Sequence, residues 1–426
     1  MLTIVKAGTE DFEERFAATE SRAAIDAERV RNEVRVMLDN IFTRRTAAVN
    51  IIALERDNAP PREIPRAELD AAVSACDPVL LGDLRRAARN IEDYQKHLLP
   101  ESGRWWTPDG GSAGVLIRPV ERAGLYVPGG TSAYPSTVLM TAIPARVAGV
   151  REILLCTPPG EHLKPEVLAA ASIAGVDRVF AIGGVPAIAS MALGLGIVPR
   201  CDVVAGPGNA YVTEAKRQLY GFCGIESTAG PSDILVLCDG SANPAWAAAD
   251  LLGQAEHGAR SRAVLVTADE SFARGVCSEL EAQIQSLPRR GEAEASLRDY
   301  GTAVVVSCRE EALTVVNRIA PEHLEIMADD AESWLDGIRN AGAVFLGPYS
   351  PEPLGDYWAG PSHVLPTEGH ARFFSPVSAE TFLRRASLLS YGKDAFLPIA
   401  DGIARLARSE GLEAHAKSAE IRGDMG

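Results

Sequence analysis

Five of the seven histidines in this 426-residue chain (His257, His323, His363, His370 and His415) fall in its C-terminal part, four of them among glycine, proline and carboxylates. Imidazole changes charge near neutrality and carboxylates supply oxygen ligands, so such a grouping points to proton transfer or to metal ligation. Gln254-Ala-Glu-His257-Gly258 sets an amide oxygen and an imidazole three residues apart, close enough on one helix face to share an ion. A solvated or capping pair fits the same spacing. Pro321-Glu322-His323-Leu324-Glu325 places a carboxyl beside an imidazole, a base for a proton with a neighbour able to orient water, or else a helix-terminal charge pair. Gly355-Asp356 makes a turn in the loop that begins at Tyr349, and Ser362-His363 follows closely. Glu410 and His415 lie in a terminal segment where a helix-face histidine is ordinarily solvated. His97 and His162 have no partner motif and read as surface residues.

The elements that must carry these residues are legible in part. Asn243 can cap a helix that starts with Pro244 and stops at Gly258, with Trp246, Ala249, Leu252 and Ala255 as its apolar face. Residues 10–99 are charged, alanine-rich and helical in period, with a connection at Asn58 to Pro65. Short β-type runs follow at Gly114 to Arg118 and Ala123 to Val127. Apolar runs at Ile153 to Cys156, Val176 to Ile182 and Cys201 to Ala205 alternate with helical segments, the pattern of a parallel sheet. Its turns are Pro128-Gly129-Gly130, Gly183-Gly184 and Gly206-Pro207-Gly208-Asn209. Ligands of such sheets sit beyond the carboxyl ends of the strands, although these glycines also serve plain tight turns. Past an interruption at 224–231, a second series has strands at Ile234 to Leu237, Ala263 to Thr267, Ala303 to Ser307, Leu324 to Met327 and Ala343 to Leu346. The last 45 or so residues read as a helical arm without a core of its own, the kind of segment that packs on another subunit.

Composition narrows the class. The length predicts two domains, and 46% apolar with 23% charged residues describes a globular chain. A net charge of -15 argues against nucleic acid and anionic membrane surfaces as partners. Seven scattered cysteines, never spaced as Cys-x-x-Cys, predict reduced thiols and a cytoplasmic location. Neither a signal peptide nor an apolar run long enough to span a membrane is present in the sequence.

Taken in order, Gly124-Leu-Tyr126-Val-Pro-Gly-Gly130, Tyr134-Pro-Ser-Thr-Val-Leu-Met140, Gly206-Pro-Gly-Asn209-Ala-Tyr-Val212, Ala229-Gly-Pro-Ser232, Gln254-Ala-Glu-His257-Gly, Ala320-Pro-Glu322-His323-Leu-Glu325, Gly355-Asp356-Tyr357 and His363-Val-Leu-Pro-Thr367 resemble the histidinol dehydrogenase family from about residue 105 to the end. That resemblance implies oxidation of an amino alcohol through an aldehyde to the acid with two NAD, in the last steps of histidine biosynthesis. It implies one Zn2+ per subunit held by Gln254, His257, Asp356 and His415, the last supplied by the partner of a homodimer. It makes His323 the general base and Glu322 the residue that prepares water. Ser232, His363 and Glu410 become substrate contacts, together with the zinc ligands and His323. Tyr126 and Asn209 become nucleotide contacts, with Pro186 at the third such position. The implied fold has two Rossmann-like α/β domains with parallel-rich sheets, a helical N-terminal region and a C-terminal arm. Its parts are an extension over 1–22, a first α/β domain over 23–125 and 232–378, a second on the nucleotide side over 126–231, and an arm over 379–426 that packs on the partner.

Several positions depart from the family pattern. Pro186 stands where a glutamine is usual, which keeps a helix start and removes a hydrogen-bonding amide. Arg260 and Arg262 follow His257 in place of an aspartate and a glutamine; Ser362 replaces an asparagine, Pro376 a glycine, and the Gly-Asp helix segment expected near 41–52 is missing. Two cations near a zinc site suggest an alternative, a paralogous zinc- and NAD-dependent dehydrogenase of a sulfonated or carboxylated alcohol, similar to sulfopropanediol dehydrogenase. Pro186 is the basis of a third reading, a non-catalytic metal- or amine-binding relative.

Overall fold

The computed structural model describes residues 1–20, 26–129, 133–160 and 163–423. Gly130 and His162 lie outside them. The chain divides into one unit of residues 1–98 and 120–382 and a smaller one of residues 99–119 and 383–426.

The larger unit holds two six-stranded sheets. In the first, Arg122–Tyr126 is central, flanked by Glu152–Thr157 and then Arg178–Ala181 on one side and by Val203–Ala205 and Gly224–Ile225 on the other, all parallel. Arg62–Ile64 closes one edge, antiparallel to Arg178–Ala181. Strand order therefore reverses between Arg122–Tyr126 and Val203–Ala205, and the two turns that leave those strands open a crevice at their carboxyl ends. The second sheet runs Thr3–Lys6, Thr302–Val305, Arg262–Thr267, Asp233–Cys238, His323–Met327, Ala343–Leu346, parallel throughout. Its central strands are buried at every position, as sheets covered by helices on both faces require.

Three expectations need correction. Residues 23–125 do not group with 232–378, because Arg62–Ile64 and Arg122–Tyr126 both pair into the first sheet, whose other strands lie within 126–231. The first residues are not a separate extension: Thr3–Lys6 is an edge strand of the second sheet, and the helix Glu10–Glu20 buries Phe12 and Phe16. Nor is the arm purely helical. Leu383–Ser390 pairs antiparallel with all eight residues of Ser112–Pro119, and Gly103–Trp106 completes a three-stranded sheet in the smaller unit. The arginines at 384 and 385 obscure the period of that strand, and its partner lies far away in sequence.

The helix Pro244–Ala255 starts as its sequence dictates, with Asn243 Oδ1 accepting the Ala245 N–H at 2.9 Å. It ends at Ala255, before His257, and its buried face is Ala247, Ala248, Leu251, Leu252 and Ala255, whereas Trp246 and Ala249 are exposed. Seven alanines and leucines among twelve residues leave the apolar stripe ambiguous by one register step. Between the helices Ala27–Arg44 and Thr46–Asp57, Arg45 takes φ 52° and ψ -132°, a conformation glycine adopts freely.

Candidate active site

On the first sheet, residues from six stretches line one cavity of about 620 Å³, among them Tyr126, Pro186 and Asn209. Tyr126 ends the central strand, and its hydroxyl accepts the Gly184 N–H at 3.0 Å; burial pushes its pKa up to about 12. Asn209 caps the helix Ala210–Leu219, its Oδ1 accepting the N–H groups of Tyr211 and Val212 at 3.1 Å each. Gly206 sits at φ 126°, and a Cβ there would lie 2.0 Å from the Tyr126 carbonyl oxygen, so only glycine allows the two turns to meet. A buried Lys216 donates to the Gly206 carbonyl at 3.0 Å and to Glu226 at 2.6 Å, and Glu226 in turn accepts the Gly206 N–H at 2.8 Å.

Ser232, Asp233, Glu322 and His323 gather at the amino ends of the central strands of the second sheet, the opposite edge from the one where ligands of parallel sheets usually sit. Parallel register sets His323 beside Ile234, so Ser232-Asp233 and Glu322-His323 leave the sheet together. Asp233 and Glu322 clamp each other: the Asp233 N–H donates to Glu322 Oε2 at 3.0 Å and the Glu322 N–H to Asp233 Oδ1 at 2.9 Å. His323 Nδ1 lies 3.3 Å from the Asp233 carbonyl oxygen. Its Nε2 is buried without a hydrogen-bond partner among the described residues and faces Asp356 Oδ1 at 3.6 Å and Glu352 Oε1 at 4.0 Å. One ligand atom from each of His323, Glu352 and Asp356 lies within 4.8 Å of the others.

Gln254, in the last turn of its helix, is fully buried and joins this cluster. Its amide nitrogen directed inward meets Glu352 at 2.9 and 3.1 Å while its oxygen accepts the Asp233 N–H at 3.3 Å. The reverse orientation sets an amide oxygen against a carboxylate, which is favourable only with a cation between them. Carboxylates, an amide oxygen and imidazole form a donor set suited to a borderline dication such as zinc. His257, two residues past the helix, reaches solvent; desolvation by the cleft around it holds its pKa below the usual value, against the pull of Asp356.

Charge is concentrated here. Burial lifts Glu322 to about 8, with the Asp233 carboxylate adding and His323 opposing. Burial likewise lifts Glu352 to about 7. For His323 burial acts downward, yet Glu352, Glu322 and Asp356 outweigh it and hold the imidazole well above its ordinary pKa. Desolvation acts upward on Asp356, and the imidazoles of His323, His363 and His257 override it. His363 is held by Ser136, with its Nε2 at 3.1 Å from Oγ. Ser232 is half-buried next to Asp233. Glu410 and His415 lie in the smaller unit, both exposed, at the end of Ala400–Ser409 and within Glu413–Glu420.

Two contributors were not singled out from sequence. Glu352 precedes Asp356 by four residues on the short helix Glu352–Tyr357, a spacing that puts both carboxylates on one face and could have revealed it. Asp233 carried no signal beyond following Ser232. Arg260 and Arg262 are both engaged by carboxylates, Arg260 Nη2 at 3.1 Å from Asp26 and the buried Arg262 Nη2 at 3.4 Å from Asp233. Neither stands as an open cation for an anionic substrate, which removes the basis of that alternative. The seven cysteines form no disulfide.

Comparison with known proteins agrees with the geometry. A family model described as histidinol dehydrogenase matches residues 20–423, which extends the likeness over the N-terminal helices. The histidinol dehydrogenase of Moorella thermoacetica is 50% identical over 403 residues, covering 93% of this chain and 95% of its own. That of Nitrosomonas europaea is 48% identical over 361 residues, 84% of either chain. The crystal structure of histidinol dehydrogenase from Elizabethkingia anophelis superposes with a TM-score of 0.90 at 32% identity, covering 100% of this chain and 98% of that one. The chain therefore belongs to the histidinol dehydrogenase family of NAD-dependent oxidoreductases.

Proposed function

We propose that this chain oxidises L-histidinol through L-histidinaldehyde to L-histidine with two NAD, and that Glu322 and His323 carry the proton transfers. The observation that supports this best is the buried His323, whose Nδ1 faces a carbonyl oxygen while Nε2 faces the carboxylate cluster. With Nδ1–H donating to Asp233, Nε2 is the atom that would accept a proton once a dication beside Glu352 and Asp356 offsets the carboxylates that otherwise hold the imidazole well above its ordinary pKa. In the first half-reaction the alcohol carbon gives up a hydride and its hydroxyl gives its proton to His323. In the second, water adds to the aldehyde carbon, loses a proton to Glu322, and a second hydride leaves. A carboxyl near 8 can both take and return a proton at neutral pH, which suits that role.

Gln254, His257 and Asp356, with the partner subunit's His415, would hold zinc, whose chemistry is to anchor and orient the imidazole and amine of the substrate. Tyr126, Asn209 and Pro186 would line the NAD site, with Ser232, His363 and Glu410 on the substrate. Completion by a homodimer accords with the arm, where Leu389 is 70% and Leu406 71% exposed. NADH formation from histidinol and excess NAD by zinc-loaded protein tests the reading. Two NADH per histidinol, lost in His323→Asn, is the expected result; no turnover alongside firm zinc binding would overturn it.

A further inference from the structure

Arg262 is a buried charge that the reaction above leaves without a task. It opens the strand Arg262–Thr267 at 3% exposure, and parallel register pairs it with Asp233, itself fully buried. Asp233 Oδ2 faces Arg262 while Oδ1 accepts the Glu322 N–H; its own N–H donates to Glu322 Oε2, and its carbonyl oxygen faces His323 Nδ1. One residue thus touches both proton-transfer side chains. A carboxylate out of water keeps its charge and its place only with a cation and hydrogen bonds to hold it. Arg262 supplies the cation, from a neighbouring strand whose position the sheet fixes.

We infer that Arg262 is a positioning residue for the Glu322–His323 pair: it fixes the Asp233 carboxylate, and Asp233 fixes the two groups that meet the substrate. This rests on the assignment of His323 and Glu322 above. It also gives the departure after His257 a purpose that involves no contact with substrate. A buried ion pair is a poor device for stability, since apolar residues of similar volume serve as well. A role in geometry is therefore separable from a role in folding.

The test is steady-state kinetics of the zinc-loaded protein carrying Arg262→Met, Arg262→Lys, Asp233→Asn or Arg262→Met with Asp233→Asn, each assayed well below its own melting temperature. Arg262→Met should lower kcat about tenfold to a hundredfold with KM for NAD within about twofold. Arg262→Lys, which keeps the cation, should recover most of kcat. The double variant should be no worse than the worse single one, because both act along one path. If methionine does not fold, Arg262→Gln carries the same expectation. Unchanged kcat in the methionine or glutamine variant, losses that multiply in the double variant, or a parallel rise in KM for NAD would each overturn the proposal. His323→Asn run alongside separates the two readings. If it retains full kcat, the base assignment fails and takes this inference with it; if it is dead while Arg262→Met is fully active, only the inference fails.

Discussion

His323 sits among Glu322, Glu352 and Asp356, and the balance of their charges governs how the site responds to pH. The folded-state pKa values of Glu322 and Glu352, about 8 and about 7, lie above that of an unfolded glutamate. The native state therefore binds more protons than the unfolded one between roughly pH 4.5 and 8, and the slope of stability against pH is negative there. His323, also raised, acts with the same sign, because its contribution is lost as pH climbs through its folded value. Asp356 is lowered, so its contribution disappears only at more acid pH, outside that window. Chelator-treated protein should accordingly lose melting temperature from pH 5 to 8, and zinc should raise it more at pH 8 than at pH 6, which thermal melts would read directly. A melting temperature that climbs steadily across the range would contradict this account. A second prediction concerns Pro186, which lines the proposed NAD cavity without a side-chain donor. Pro186→Gln should tighten NAD about fivefold to tenfold, the worth of one hydrogen bond of about 1 kcal/mol, as titration calorimetry would show.

Secondary-structure ends, rather than middles, bring the chemistry together. The helix Pro244–Ala255 delivers Gln254 in its last turn, and the strands Asp233–Cys238, Arg262–Thr267 and His323–Met327 contribute their first residues or the ones just before. All of these ends face one edge of the sheet because each helix runs back against its strand. Glycine-rich turns mark the first sheet, where they line the cavity at the carboxyl ends of the strands. At the amino ends no glycine signature exists, and only the histidines and acids themselves betrayed the site. Arg45 shows the reverse case, a residue in a glycine conformation between two helices. Arg45→Gly should stabilise the fold by about 1 kcal/mol by removing that strain, measured by chemical denaturation. A destabilised glycine variant would show that the Arg45 side chain has a role that outweighs the strain.

At the scale of the molecule, the proposed zinc set of Gln254, His257 and Asp356 would be completed by His415 of the partner subunit. Co-expression of His323→Asn with His415→Ala chains offers a direct check. Each homodimer should be inactive, whereas each mixed dimer would own one site with both native residues. About a quarter of native activity should then return on random pairing. Lack of any recovery, in mixed dimers verified by differential tagging, would mean that each chain uses its own His415. The smaller unit that carries this residue presents exposed Ile403, Leu406, Leu412 and Ile421, which a second copy would cover.

The sequence by itself determined the alternating strands and helices of both sheets, the capped helix that ends near Gln254, and the residue types of the site, because periodicity, caps and turn chemistry act over a few residues. The family resemblance rested on the same local motifs. Strand order, by contrast, depends on pairings between distant segments. Only the tertiary structure decided that Arg122–Tyr126 is central to the first sheet and that Thr3–Lys6 edges the other. It likewise decided that Leu383–Ser390 is a strand. The same holds for the site's charges. Whether Arg262 meets a ligand or Asp233, and whether Glu352 stands beside His323, follows from which strands and helices are neighbours, a matter that no local pattern encodes.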